Sequence, residues 1–237
     1  MAGDSERLQE KEMTDSTNNP VHDTTLINRI GRYTCEEYFA RVKAFHGSIA
    51  PGVIIGGIMV DMAMARIPEK ILFNAICETS SCLPDSVQLI TPCTIGNGWL
   101  TVFNLGRFAV SLYDKYGGTG IRVYLDSNKL ENWDEIQAWF LKLKAKNEQD
   151  TNRLIEQILI AGRSIYSLDS IQVKSQYLTR KPKKSIGVCV VCGEAFPVND
   201  SNICKGCQGE TPYETRNLSL CISTHSPINV KDGSLPM

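Results

Sequence analysis

The chain has 237 residues, 25 Lys and Arg against 26 Asp and Glu, a net charge of −1 and 42% apolar residues. That length holds one medium domain plus a small module, and the charge balance excludes a global basic field that would drive binding to nucleic acid or to anionic membrane. Nine cysteines, an odd number, behind the charged start Met1-Ala2-Gly3-Asp4-Ser5-Glu6-Arg7 argue against a secreted disulfide framework; the expected compartment is the cytoplasm, with the cysteines as thiols or metal ligands.

Residues 1–30 are polar, without an apolar period, and are read as a flexible arm. A core domain is expected over 31–178. Thr34-Cys35-Glu36-Glu37 fits a capping box, followed by Tyr38, Val42 and Phe45 at helical spacing. Glycine and proline end this helix at 47–52, and Pro51 suits the first turn of a second helix running to about residue 67. Residues 52–65 are strongly apolar, but Asp61 interrupts them and they fall short of the ~20 residues that span a membrane, so a buried core helix is expected and no membrane partner. Gly56 and Gly57 weaken that helix by ~1 kcal/mol each relative to Ala. Close packing of another backbone against that face would explain them.

Further along, 72–77 reads as a strand, 78–82 as a loop, 84–91 as a short helix and Asn97-Gly98 as a tight turn. Strands are expected at 99–103, 108–113 and 121–125, helices at 132–146 and 152–161, and a last strand at 171–178. This is an α+β fold: an antiparallel sheet with flanking helices, joined by a basic linker (179–185) to a C-terminal four-Cys zinc ribbon (186–210) and a flexible tail (211–237).

The ribbon carries the sharpest signal. Cys189 and Cys192 are two residues apart, and after eleven more residues Cys204 and Cys207 repeat the spacing. A two-residue gap lets both thiolates of a pair reach one ion from a tight turn, and two such pairs complete the tetrahedron of a structural Zn²⁺. Redox CxxC pairs and rubredoxin-type iron are the competing readings, and zinc is favoured because so short a module has little core without an ion. Four thiolates leave no open position, so this zinc supports a scaffold or docking surface and not a reaction.

A second set, His46, Glu78, Cys82 and Cys93, lies in breaks between elements. One imidazole and two thiolates would make a three-ligand site for a second metal of unspecified identity, with a fourth position open. Packing of buried thiols and a hydrogen-bonded histidine is the plainer alternative. Cys82 and Cys93 as a redox disulfide pair is a further one.

Phe45-His46-Gly47-x-x-Ala50-Pro51-Gly52, then Glu78-Thr79-x-x-Cys82-x-x-Asp85-x-Val87-Gln88-x-Ile90-Thr91-x-Cys93-Thr94-x-Gly96-x-Gly98, resemble the FmdE-like family, named for formylmethanofuran dehydrogenase. Lys115-Tyr116-x-x-Thr119-Gly120 and the four cysteines follow in the family's order, so the resemblance spans about residues 35–210. The family pattern usually carries His-Gly-His where this chain has His46-Gly47-Ser48, so a site built on the second His is altered here. The resemblance implies a homodimer and an association with molybdenum or tungsten enzymes of C1 metabolism. On this basis two readings stand. One is a metal-binding accessory protein or enzyme of molybdenum- or tungsten-linked C1 or sulfur metabolism, with a second metal or thiol site at His46, Cys82 and Cys93. In its enzymatic form Glu78 would be a general acid or base, with a pKa raised by burial. The other is a non-enzymatic zinc-ribbon interaction or regulatory module.

Overall fold

The computed structural model describes residues 26–178, 185–198 and 201–214. The arm over 1–25, most of the basic linker (179–184) and the tail over 215–237, with Cys221, lie outside the described residues. The chain divides into two compact units, Met1–Thr179 and Arg180–Met237.

The larger unit begins inside the stretch assigned to the arm. Strands β1 (Arg29–Ile30) and β2 (Tyr33–Thr34) form a short hairpin. Ile30 is fully buried, and the Ile27 amide donates to the Leu159 carbonyl at 3.0 Å. Two-residue strands carry no period to read in a sequence. Helix α1 (Cys35–His46) starts with the expected capping box: the Glu37 amide donates to Thr34 Oγ1 at 3.2 Å and the Thr34 amide to the Glu37 carboxylate at 2.9 Å. Gly47, with φ 89, ends it in the left-handed region.

Helix α2 (Pro51–Met64) is the spine of the unit, buried at every position from Gly52 to Val60. Among the described residues no helix is long and apolar enough to cross a membrane. The glycines inside α2 make room for side chains, where the sequence suggested a backbone. A Cβ on Gly57 would lie 2.5 Å from Tyr38 Oη, and one on Gly56 would lie 2.9 Å from Leu83 Cδ1. The Tyr38 and Ser86 hydroxyls approach through these gaps, and each donates to the Val53 carbonyl at 3.0 Å.

A five-stranded sheet packs against α2. Its strands are β3 (Phe73–Cys77), β4 (Leu100–Val102), β5 (Ala109–Asp114), β6 (Thr119–Leu125) and β7 (Tyr166–Gln172), in the order β4-β3-β5-β6-β7. Every pair is antiparallel except β3 with β4, which run parallel at one edge. Register places Ala75, Cys77, Val110, Leu112, Val123 and Leu125 on the buried face, in the core that α2 shares. The opposite face carries Ile76, Ser111, Arg122 and Asp169 in one row across the four strands β3, β5, β6 and β7.

Three helices complete this unit: α3 (Leu83–Ile90), α4 (Asp134–Phe140) and α5 (Thr151–Ala161), followed by the single turn α6 (Ser175–Leu178). Two expectations shift. Helix α4 stops at Phe140, because Lys142 adopts φ 57 and the Leu143 amide turns back to the Ala138 carbonyl at 2.9 Å, a Schellman closure without the usual glycine. The last strand lies at Tyr166–Gln172, not 171–178, because pairing with β6 runs through polar residues, and Asp169 faces Arg122 on the open side.

In the smaller unit β8 (Ile186–Val188) pairs antiparallel with β9 (Ala195–Pro197), and a helical turn follows at Gly206–Glu210.

Candidate functional site

Cys189 and Cys192 lie in the turn between β8 and β9, and Cys204 and Cys207 lie at the start of the helical turn. Gly193, with φ 76, lets the first turn curl, and its amide donates to the Cys189 carbonyl at 2.9 Å. The four sulfurs all lie within 4.8 Å of one another. A tetrahedron with Zn–S near 2.3 Å has edges of about 3.8 Å, and Cys192 Sγ lies 3.7 Å from Cys204 Sγ. The donor set therefore fits a structural zinc.

Backbone amides tune the sulfurs. The Cys204 amide points at Cys189 Sγ (3.3 Å) and the Cys207 amide at Cys204 Sγ (3.4 Å). Hydrogen bonds from the amides of Cys192 and Cys204 draw the Cys189 thiol down to about 6. Hydrogen bonding with Cys204 and Cys192 pushes Cys207 up to about 12. One thiolate in the cluster resists the next, and a divalent cation removes that conflict.

The remaining candidates are distributed over three places. His46 Nδ1 lies 2.7 Å from Asp85 Oδ2, an ion pair when the imidazole is protonated. Asp85 stands in the first turn of α3, and Cys82 is the cap of that helix with φ 54, a strained conformation for a residue with a Cβ. A Cβ on Gly52 would lie 2.9 Å from Cys82 Sγ, so the starts of α2 and α3 meet at this thiol. Desolvation and then the Asp85 charge raise the Cys82 pKa, against the pull of Lys142.

Cys93 lies beyond the other end of α3, an eight-residue helix about 12 Å long. It is buried, its sulfur 3.6 Å from the Phe73 carbonyl oxygen, and desolvation raises its pKa. The structure thus does not gather His46, Cys82 and Cys93 into one ligand set. Among the described residues the four ribbon cysteines are the group of three or more metal-ligating side chains that meets within 4.8 Å. The length of α3 likewise separates Cys82 from Cys93 as a disulfide pair, and both are free thiols. Asp85 stands in the same motif as Cys82, yet only the folded chain shows it as the partner of His46.

Glu78 needs the clearest correction. Its side chain is 7% exposed and enclosed by two arginines. Arg122 donates from Nε to Oε1 at 2.7 Å and from Nη2 to Oε2 at 3.0 Å, and Arg107 Nε lies 2.7 Å from Oε2. Desolvation alone would raise the Glu78 pKa, but the hydrogen bonds and charges of Arg122 and Arg107 outweigh it and hold the carboxylate below its ordinary range. A carboxylate so clamped is not the raised-pKa acid or base that its loop position suggested. Arg107 and Arg122 gave no signal on their own, because β5–β6 register and the 103–107 loop bring them to Glu78.

Comparison with known proteins agrees with this architecture. The family model FmdE, described as molybdenum formylmethanofuran dehydrogenase operon, matches residues 45–174. The FmdE treble clef zinc finger matches residues 180–214. A curated relative from Archaeoglobus fulgidus, described as a probable S-adenosyl-L-methionine-binding protein, is 31% identical over 193 residues, covering 71% of this chain and 52% of its own. The chain thus spans about half the length of that relative. A crystal structure of an FmdE-like protein of tungsten formylmethanofuran dehydrogenase, from Syntrophus aciditrophicus, is 51% identical with a TM-score of 0.74, covering 80% of this chain and 100% of that one.

Proposed function

As this chain belongs to the FmdE family, we propose that it is a zinc-binding accessory protein of molybdenum- or tungsten-linked C1 or sulfur metabolism, docking to its partner enzyme through the zinc module. The observation that carries this reading is the pairing of a closed zinc site with an exposed apolar surface. Ile186, Val188, Val190 and Val191 are 65–68% exposed around the hairpin that holds Cys189 and Cys192. Four thiolates leave the zinc no open position, so its work is to hold a shape. A cluster of apolar side chains on a metal-held hairpin marks a protein-binding surface.

The test uses tagged chain isolated from its own host, followed by elemental analysis. Molybdenum or tungsten should co-elute with the wild type, and Val188→Asp with Val190→Asp should lose it while keeping zinc. Zinc alone in the wild-type fraction would sink the accessory role.

A second reading, S-adenosyl-L-methionine binding, is favoured by the match to the Archaeoglobus protein over 193 residues. Equilibrium dialysis with labelled S-adenosyl-L-methionine decides it: saturable retention supports the reading, and none removes it.

A further inference from the structure

The face of the sheet turned away from α2 holds a cleft of about 460 Å³, within the ~300–1,000 Å³ typical of small-molecule sites. Ile76, Phe103, Leu105, Ile171 and Tyr177 wall it. The Phe103 and Tyr177 rings meet edge to face, with centroids 5.2 Å apart. Glu78 and Arg122 are its buried polar residues, and the more exposed Arg107 and Lys174 also line it.

Charge within the cleft does not balance. Glu78 is engaged by Arg122 and by Nε of Arg107, and Arg122 also donates from Nη1 to Asp169 Oδ2 at 3.0 Å. The terminal nitrogens of Arg107 remain, with no described residue accepting from them, and Lys174 has no described carboxylate partner. Among the lining residues one carboxylate, Glu78, therefore stands against Arg107, Arg122 and Lys174.

A groove with apolar walls alone selects a neutral hydrophobe, and a cationic patch alone selects polyanions. Here both share one cleft, and the planar guanidinium fork of Arg107 matches a carboxylate through two parallel N–H···O bonds. We propose that this cleft binds a small organic carboxylate with an apolar or aromatic body. The carboxylate sits on Arg107 with Lys174 as the second cation, and the body lies against Phe103, Leu105 and Tyr177. Glu78 is the positioning residue. Its carboxylate holds Arg107 at 2.7 Å, and its carbonyl accepts from the amides of Leu105 (2.9 Å) and Arg107 (3.3 Å), so one residue sets both the wall and the cation.

Isothermal titration of the full chain tests this with phenylacetate, its neutral isostere phenylacetamide, and acetate, which lacks the ring. Phenylacetate should bind wild type, and phenylacetamide and acetate should each bind at least about tenfold more weakly. Arg107→Ala should weaken phenylacetate binding by about tenfold or more, with Lys174→Ala intermediate and Arg107→Lys a partial rescue. Arg107 is 59% exposed, so its truncation should leave the melting temperature near wild type. No phenylacetate binding, equal binding of phenylacetamide, or an unchanged Kd in a folded Arg107→Ala chain would overturn the assignment. The phenylacetamide comparison stands on wild-type protein even where a variant fails to fold.

Discussion

At Glu78 a single carboxylate joins two guanidinium groups that come from distant parts of the chain. Removing one partner of a fully buried ion pair costs roughly 3–5 kcal/mol. Arg107 is 59% exposed, so Glu78→Gln should cost about 2–3 kcal/mol, read by urea unfolding near neutral pH. The folded-state pKa of Glu78 is depressed, so its contribution is complete above the unfolded value near 4.3 and is lost as pH falls through the folded value. The gap between wild type and Glu78→Gln should therefore close on acidification below about pH 4. A gap that persists at lower pH would mean that Gln disturbs packing and not charge. Sequence reading located Glu78 but gave it the opposite pKa. Burial was foreseeable from its place beside a strand, and the arginines were not, because their approach depends on register. Cysteine spacing is a different case: the ribbon ligands lie close enough in sequence for their geometry to be local.

Between elements, the glycines of α2 and the left-handed end of α4 carry the testable content. Gly57→Ala gains about 1 kcal/mol of helix propensity but drives a methyl towards Tyr38 Oη at 2.5 Å. Overpacking of this kind costs about 1–3 kcal/mol, so net loss of stability is expected, and a gain would mean that Tyr38 swings aside freely. Lys142 at φ 57 holds a position that favours glycine by about 1 kcal/mol. Its ammonium also lies 5.3 Å from the Trp139 ring centroid, so Lys142→Gly should stabilise by only about 0.5 kcal/mol. A melting temperature that falls would show that the cation–π contact outweighs the backbone. Capping at Thr34 and the breaks at Gly47 and Pro51 were legible because local chemistry dictates them. The end of α4 was not, since nothing in Leu141-Lys142-Leu143 announces a left-handed residue. Nor was β7, whose Ser167, Asp169 and Ser170 look like a loop until Arg122 is placed opposite.

For the whole molecule, two units with different sources of stability follow from the composition of each. The larger has the α2-centred core, whereas the smaller has exposed valines and four thiols in place of one. Zinc binding is then the folding energy of the smaller unit. A strong chelator should abolish hydrogen-exchange protection at Cys189 and Val188 while leaving α2 amides protected. Loss of protection in both units at the same chelator concentration would contradict independent stabilisation. The sequence made this division visible through the Cys pairs and through the apolar run of α2. The sheet's open face, with its arginines and cleft, became visible only with the topology.

The central claim is that the metal of this chain is one zinc held by Cys189, Cys192, Cys204 and Cys207. Elemental analysis per chain tests it most directly, on wild type, on Cys189→Ser with Cys192→Ser, and on His46→Ala with Cys82→Ser. About one zinc in the wild type, lost in the first variant and kept in the second, is the predicted result. Zinc that survives the first variant, or a second metal lost with His46 and Cys82, would contradict it.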